Sequence, residues 1–339
     1  MNDSSQGLSR LMDVIVGSSA GAVLVAALDL GVIPLLSGHP QGLTATEVGK
    51  HLGLDQRSST QLLTAMACMG LVVPVDGRYR ASELSARHLL PGALDYIGGL
   101  AEFIHTRSWD QLGRLSDHLR GSAGRAEDQE TLYDPGDEAL RRFWSGVHPL
   151  SRAAGHALPR LLGLSGGRRL LDVGGGTGGF ASGFCQSLND SRATVFELPF
   201  VAEIARSSID REHMGHAVDV VAGDFFVQDL PSGHDTVALV NVLHNWGPEQ
   251  VAELLTKCHK ALDPGGTIAI VEHLVPAAEP ESVTSALVGL LMVIQTEEGR
   301  TYTAEEHLST LSAAGFTDAR AEPFPGQAIA SHVVIANRN

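Results

Sequence analysis

The feature that most constrains this chain is a cluster of glycines that directly follows a short apolar segment. Residues 169–173 indicate a strand with an acid near its end, and Gly174, Gly176 and Gly178 follow it. A helical pattern then covers residues 180–188. A strand, a tight turn and a helix N-terminus in this order present backbone N–H groups to a ligand at the carboxyl edge of a parallel sheet. The segment predicts an α/β fold, with a plain connecting turn as the alternative to a ligand site.

Two later segments indicate which ligand the turn would bind. Residues 193–197 predict a second strand that ends in Glu197, where a carboxylate can accept both hydroxyls of a ribose. Residues 219–226 predict a third strand, in which Asp224 and Phe225 suit the amino group and the face of an adenine. The glycines do not follow the G-x-G-x-x-G spacing of a dinucleotide site, and no Lys-Ser/Thr pair follows them, which excludes a P-loop.

Together with three further motifs, these segments resemble the small-molecule O-methyltransferases that depend on S-adenosylmethionine (SAM), of the plant caffeate and bacterial polyketide type. The motifs are LDVGGGTG (171–178), FELP (196–199), GDFF (223–226), LHNW (243–246), LDPGG (262–266) and GRT…AAGF (299–316). The resemblance implies a Rossmann-like class I methyltransferase domain. It also implies SAM as cofactor, a small-molecule acceptor and a mostly helical, winged-helix N-terminal domain that forms a homodimer.

The resemblance also assigns the site residues. The expected cofactor contacts are Asp172, Gly174, Gly176, Glu197, Leu198, Asp224, Phe225 and Asn241. His244 takes the position of the general base, and Glu272 that of a glutamate that brackets the imidazole. Gln295 falls where the family places a residue that touches the acceptor. His148, Trp144 and Met292 are further candidate acceptor contacts. His273 is expected to be structural, because the period of a strand turns it to the other face.

Two departures from the family pattern leave the chemistry open. Gly299 stands where a second glutamate usually precedes Arg-Thr, and Asn245 replaces the usual aspartate after the base. The first hypothesis is methylation of a hydroxyl oxygen, with His244 as the base. The second is C-methylation of a 2-oxo acid assisted by a divalent or ferric metal ion, with His244 and Gln295 as ligands and a further histidine completing the set. A non-catalytic regulatory or DNA-binding protein is the third, and the retained histidine and the acidic charge disfavour it.

The N-terminal pattern predicts a winged helix with an architectural role. Helices are expected at 46–52 and 57–69, and short strands at 71–75 and 78–81, with Asp76-Gly77 as the hairpin turn. The second helix carries one Arg and no Lys, too few charges to neutralise phosphates. We expect an N-terminal domain over 1–100, a helical connector that forms a pocket wall over 101–160, and the SAM-binding domain over 161–339.

Composition and charge restrict partners and compartment. The net charge of −15 argues against nucleic-acid and anionic-membrane partners. Three scattered cysteines and the lack of a basic N-terminal signal segment predict a cytoplasmic protein. The uncharged stretch 14–28 lies between Asp13 and Asp29 and is about 15 residues long, which predicts a buried helix at a subunit contact rather than a membrane span.

Overall fold

The computed structural model describes residues 2–121, 138–275 and 282–339, and the chain divides into two compact units, residues 1–110 and 111–339. The helices are α1 (Asn2–Asp29), α2 (Val32–Ser37), α3 (Ala45–Leu52), α4 (Gln56–Cys68), α5 (Glu83–His88), α6 (Gly98–Gly113), α7 (Leu115–Leu119), α8 (Glu138–Leu161), α9 (Gly179–Ser187), α10 (Pro199–Arg211), α11 (Pro248–Ala261), α12 (Val283–Gln295) and α13 (Ala304–Ala313). The strands are β1 (Val72–Val75), β2 (Arg78–Ala81), β3 (Arg169–Val173), β4 (Arg192–Glu197), β5 (Val218–Ala222), β6 (His234–Val240), β7 (Leu262–Glu272), β8 (Thr317–Pro323) and β9 (His332–Asn337). The expected domain boundaries at residues 100 and 160 stay predictions, and α6 continues through residue 100.

The first unit contains the helices and the hairpin that the sequence predicts. Thr44 caps α3 through a reciprocal bond with Glu47, so the start of that helix follows from local chemistry. Strands β1 and β2 pair in antiparallel register across Asp76 and Gly77, which both have positive φ. A core formed mainly by α2, α4 and β1 holds this unit together, with Ile33, Leu63 and Met66 fully buried.

Helix α1 differs from its prediction in length and in burial. It begins at Asn2 instead of residue 14, and its segment Gly7–Asp29 is by length and composition apolar enough to cross a membrane, with a mean hydropathy of 2.0. Its C-terminal part packs on the core of the first unit, where Ala27 is buried and Val23, Leu24 and Leu28 lie against that core. The preceding part is not buried within the chain, because Leu11, Val14 and Ile15 are between 54% and 77% exposed. The predicted buried helix is therefore covered by described elements of this chain only near its C-terminal end.

The second unit is built on a seven-stranded sheet in the order β5-β4-β3-β6-β7-β9-β8. The first five strands in this order pair in parallel, and β9 pairs antiparallel with both β7 and β8. Successive residues of a strand point to opposite faces, and both faces are buried. Leu170 packs with α8, α9 and α10, whereas Leu171 packs with α11 and α13. The carboxyl ends of β3, β4, β5, β6 and β7 therefore meet at one edge, as a doubly wound α/β fold requires.

Helices α8 and α9 cross at very short range because glycines face backbone at the crossing. A Cβ on Gly183 would lie 2.1 Å from the carbonyl oxygen of Arg152, and a Cβ on Gly155 would lie 2.1 Å from that of Phe180. Only glycine allows two helices this close. Since α9 begins at the glycine turn, α8 is fixed against the predicted ligand site.

Candidate active site

The glycine turn has the backbone that the sequence predicts. Gly174 and Gly176 adopt φ values of 64° and 55°, in the region that favours glycine. The Gly174 N–H donates to the Phe196 carbonyl at 2.9 Å, which connects the turn to the end of β4. A Cβ on Gly176 would lie 2.7 Å from Cζ3 of Trp144, so the Trp144 ring lies directly over the turn. The turn is thus a narrow cradle that a side chain would fill.

Glu197 lies at the end of β4 and faces this turn. Its carboxylate accepts from the backbone N–H of Gly176 at 3.0 Å and of Leu198 at 2.8 Å. Burial raises the pKa of Glu197, although these two hydrogen bonds oppose the rise. A carboxylate offers about four acceptor positions, so positions remain for two ribose hydroxyls. The predicted ribose contact is compatible with this geometry.

Asp172 is the acid near the end of β3, and it is fully buried. Neither carboxylate oxygen has a hydrogen-bond partner of normal geometry among the described residues. Burial raises the pKa of Asp172 to about 7, with the charge of Glu197 adding to the effect and the backbone of Ala181 opposing it. A buried carboxyl without a partner at the glycine turn suits a cationic ligand such as a sulfonium or an ammonium group.

The third strand was predicted over 219–226, but β5 ends at Ala222, so Asp224 and Phe225 lie in the loop that follows it. An unpredicted lysine holds this loop. Asp224 accepts from the Phe226 N–H at 2.8 Å, and the Phe225 ring stands edge-on to that of Trp246. Lys257 of α11 donates to the carbonyls of Phe225 at 2.7 Å and Phe226 at 3.0 Å. No local sequence pattern could have indicated Lys257, since 32 residues separate it from Phe225.

Asn241 corrects the predicted extent of β6. The near-continuous apolar run 234–243 predicts a buried parallel strand through residue 243. In the structure β6 ends at Val240, and Asn241 turns the chain with a φ of 54°. Its side-chain N–H donates to the Ile329 carbonyl at 2.8 Å, and its buried Oδ1 has no partner within the described part of the chain. A buried acceptor of this kind fits the predicted cofactor contact.

His244 lies on a single 3-10 turn, Leu243–Asn245, beside the glycine turn. Its Nδ1 is 2.6 Å from Oε2 of Glu272, and Oε1 of Glu272 accepts the Leu243 N–H at 2.9 Å. Burial alone would raise the pKa of Glu272, but the charge and hydrogen bond of His244 outweigh burial and lower it. Since an ionised carboxylate only accepts, Nδ1 carries the proton and Nε2 is left as the free acceptor. The pair has the arrangement of an oriented general base.

A third ionisable group is buried close to this pair and was not predicted. His307 of α13 is 1% exposed, and neither of its ring nitrogens has a hydrogen-bond partner among the described residues. Burial lowers the pKa of His307, whereas the charges of Glu272 and Glu306 oppose that change. Burial therefore favours the neutral form of this imidazole.

The turn of β6 and the glycine turn are in direct contact. A Cβ on Gly174 would lie 2.8 Å from Cγ2 of Val242 and 3.7 Å from the Phe225 ring. The residues predicted for the cofactor and the predicted base therefore belong to one site, as the shared sheet edge requires.

The predicted acceptor contacts lie in two places. Trp144 and His148 belong to α8 and lie at the glycine turn, where both ring nitrogens of His148 already have partners. Met292 is buried on α12, and Gln295 is half-buried at the end of that helix. Acceptor contact stays a prediction for all four residues.

The donor atoms present do not fit the metal-assisted alternative. Nδ1 of His244 is bonded to Glu272, and Gln295 offers a neutral amide. His273 contacts the Ser285 hydroxyl at 3.3 Å, in agreement with its expected structural role. Over the ranges that the structure describes, no group of three or more His, Cys, Asp or Glu could hold a metal ion. We assign no role to a metal.

The missing glutamate has a steric explanation. A Cβ on Gly299 would lie 2.5 Å from the carbonyl oxygen of His244 and 3.0 Å from the carbonyl carbon of Asn245. The Gly299 N–H donates to the Thr296 hydroxyl at 2.8 Å, which holds the segment in place. The chain thus packs backbone against the base-bearing turn where the family pattern has a side chain.

Known proteins resemble this chain over nearly its whole length. The family model of the O-methyltransferase domain matches residues 130–317, and that of the O-methyltransferase dimerisation domain matches residues 12–91. A 3-hydroxy-5-methyl-1-naphthoate 3-O-methyltransferase of Streptomyces sahachiroi is 33% identical, covering 93% of this chain and 91% of that protein. An L-tyrosine C(3)-methyltransferase of Streptomyces lavendulae is 28% identical over 89% and 85%. The crystal structure of human N-acetylserotonin methyltransferase in complex with SAM is 26% identical, with a TM-score of 0.83 over 100% and 99%.

Proposed function

Because this chain belongs to the O-methyltransferase family, we propose that it methylates a hydroxyl oxygen of a small aromatic secondary metabolite, with His244 as the general base. It is a SAM-dependent methyltransferase. The aromatic acceptor is proposed by analogy with the hydroxynaphthoate named for the Streptomyces relative. The observation that carries the base assignment is the 2.6 Å contact between Nδ1 of His244 and the Glu272 carboxylate.

The proposed mechanism uses the free Nε2 of His244 to take the hydroxyl proton. Glu272 fixes the ring orientation and the tautomer, and it stabilises the imidazolium that forms when the proton arrives. The resulting oxygen anion is a far better nucleophile than the neutral hydroxyl. Two backbone bonds to Glu272 keep the carboxylate itself in place.

The cofactor is proposed to lie in the cradle formed by Gly174 and Gly176. Glu197 holds the ribose, Asp224 and Phe225 hold the adenine, and Asp172 and Asn241 face the methionine end. When bound, SAM supplies a methyl group attached to a sulfonium sulfur, and that sulfur is a good leaving group. The protein aligns the acceptor oxygen with that methyl group and removes the proton from the acceptor hydroxyl. Catalysis is therefore by positioning and by proton transfer.

C-methylation remains the second candidate because one relative is named a tyrosine C(3)-methyltransferase. Deprotonation of a phenol also makes its ring carbons more nucleophilic, so the same His244–Glu272 pair could serve either acceptor atom. The experiment is to incubate the protein with SAM carrying a ¹³C-methyl group and a panel of hydroxylated aromatics and 2-oxo acids. Products that carry the label on oxygen support the proposal, and labelled C-methyl groups would overturn the choice of atom.

We further propose that the protein works in the cytoplasm as a homodimer. The dimerisation-domain match includes the apolar stretch of α1. A second copy would cover the exposed side chains of Leu11, Val14 and Ile15, which monomeric proteins rarely leave in contact with water as a group.

A further inference from the structure

A buried polar network connects α8 to the glycine turn, apart from the His244–Glu272 pair. His148 Nδ1 is 2.8 Å from the Thr177 hydroxyl, and its Nε2 is 2.9 Å from Oε1 of Glu212. Arg152 donates to the same Glu212 oxygen at 3.1 Å. The three ionisable side chains are only 9% to 13% exposed. Both bonds go to Oε1 of Glu212, whereas its Oε2 is buried without a hydrogen-bond partner among the described residues, so His148 and Arg152 together offset the cost of burying this carboxylate.

The network joins three elements that surround the proposed cofactor cradle. His148 and Arg152 lie one turn apart on α8, Thr177 lies inside the glycine turn, and Glu212 follows the end of α10. The same stretch of α8 carries Trp144, whose ring lies over Gly176. A shift of His148 would therefore move the turn and its cover together.

The charges of the network define the direction of its hydrogen bonds. Burial alone would raise the pKa of Glu212, but the hydrogen bond and charge of His148 and the charge of Arg152 outweigh it and lower that pKa. Glu212 is thus an ionised acceptor, so Nε2 of His148 carries a proton. The ring is held from one side by this charge-assisted bond, and its other nitrogen is directed at Thr177.

We propose that His148 is a positioning residue for the cofactor and not an acceptor contact: through Thr177 it holds the glycine turn in the conformation that binds SAM. This inference rests on the proposed cofactor site. Thr177 is 3% exposed and lies between Gly176 and Gly178, so the bond restrains the part of the turn that approaches the cofactor. Without this bond, Thr177 loses its hydrogen bond to α8, and the conformation of the turn that binds SAM is populated less often.

The test compares SAM affinity with acceptor kinetics in His148→Phe and Thr177→Val. Each variant removes the bond and keeps an apolar group of similar size. We expect SAM binding by calorimetry to weaken roughly 5- to 30-fold, the range for one lost hydrogen bond in a charged network. The KM for the acceptor and kcat at saturating SAM should stay within about twofold of the native values. The double variant should bind SAM no more weakly than His148→Phe alone, because that change already removes the bond to Thr177 together with the bond to Glu212.

The chain offers a matched control on the same pair of helices. His156 Nδ1 is 2.8 Å from the Ser187 hydroxyl, so it also connects α8 to α9, but two turns away from the glycine turn. His156→Phe should leave SAM affinity at the native value. If His156→Phe weakens SAM binding as much as His148→Phe does, general contact between the helices explains the effect and the proposal is wrong.

Further outcomes are equally decisive. Thr177→Ser keeps the hydroxyl and should restore SAM affinity to within about twofold. If His148→Phe does not fold, Thr177→Val and Thr177→Ser decide the question alone, since each changes only a methyl or hydroxyl group. If the His148 variant binds SAM with native affinity but has a raised KM for the acceptor, His148 is an acceptor contact and the proposal is wrong. A native protein that binds no SAM would overturn the proposed cofactor site together with this inference, whereas native binding with unaffected variants would overturn the inference alone.

Discussion

Single residues of the site show how burial acts differently on two similar carboxylates. Glu272 accepts three hydrogen bonds, from the Leu243 and His244 N–H groups and from Nδ1–H of His244, so its charge is stable in the core. Asp172 has no such partner, so burial raises its pKa to about 7. Glu272 orients a base in the protein without ligands, whereas Asp172 has no positively charged partner there. That difference suits a site that must attract a cation.

Asp172→Asn should stabilise the protein that carries no cofactor and weaken SAM binding. An acid whose folded-state pKa is raised holds its proton more tightly when folded, so stability falls as pH rises from about 4 to about 7. With the folded pKa at about 7, the cost at higher pH reaches at most about 4 kcal/mol. Urea denaturation at pH 5 and pH 8 measures this, and the variant should gain more stability at pH 8 than at pH 5. Asp219→Asn, an exposed acid of β5, is the control and should change neither value.

His244→Ala should lower kcat by about 10²–10⁴ and leave the SAM dissociation constant unchanged, because the base acts on the acceptor alone. Glu272→Gln should also lower kcat, since an amide in place of the carboxylate cannot stabilise the imidazolium. His273→Asn, a change to a neighbouring histidine that contacts Ser285, should retain kcat. Native activity abolished by EDTA and restored by a divalent metal would contradict the assignment of His244 as a base.

The residues that the sequence could predict are those set by the end of a strand. Glu197, Asp224 and Glu272 follow apolar runs, and parallel topology brings such positions to one edge. The contacts of Lys257 and His148 depend on how helices pack against distant parts of the chain. The order of the motifs along the sequence does not predict that packing. His148 was therefore expected on the acceptor side, although the structure gives both of its nitrogens partners at the glycine turn.

At the scale of elements, the backbone of Gly299 packs against the turn that carries His244. Restoring the glutamate that the family pattern has at this position should therefore harm this protein. Gly299→Glu should lower both thermal stability and kcat, because its Cβ would lie 2.5 Å from the His244 carbonyl oxygen. Overpacking of this kind costs about 1–3 kcal/mol. Gly299→Ala should show most of the loss, since the clash is at Cβ. A Gly299→Glu variant with native stability and raised kcat would contradict the steric explanation. It would mean that the native protein lacks a carboxylate that could assist catalysis.

Elements were predictable where local chemistry sets their ends. The capping pattern of Thr44 and Glu47 places α3, and the Asp76-Gly77 turn places the hairpin. The end of β6 was misplaced because the apolar run continues through Val242 and Leu243, which are buried in a turn and not in the sheet. Burial without pairing cannot be told from burial within a strand by composition alone.

At the scale of the whole molecule, α1 makes the state of association testable. Replacing Leu11 and Ile15 by Glu should convert the proposed homodimer into a monomer, because charges would face the partner surface. Light scattering coupled to gel filtration measures the mass. Leu8→Ala, a change that keeps the helix apolar, is the control and should leave the dimer intact. A native protein that is monomeric at all accessible concentrations would contradict the homodimer.

Strand β9 and the residues before it contact the sheet edge where the site lies. These contacts determine when the nascent chain can complete the site. The Ile329 carbonyl holds Asn241, and the Ser331 N–H donates to the Glu272 carbonyl at 3.1 Å. Strand β9 must also leave the ribosome before it can pair with β7. A nascent chain that stops before residue 329 therefore has every motif of the site but lacks the contacts that support Asn241 and Glu272. Folding of this unit is completed only after β9 has left the ribosome.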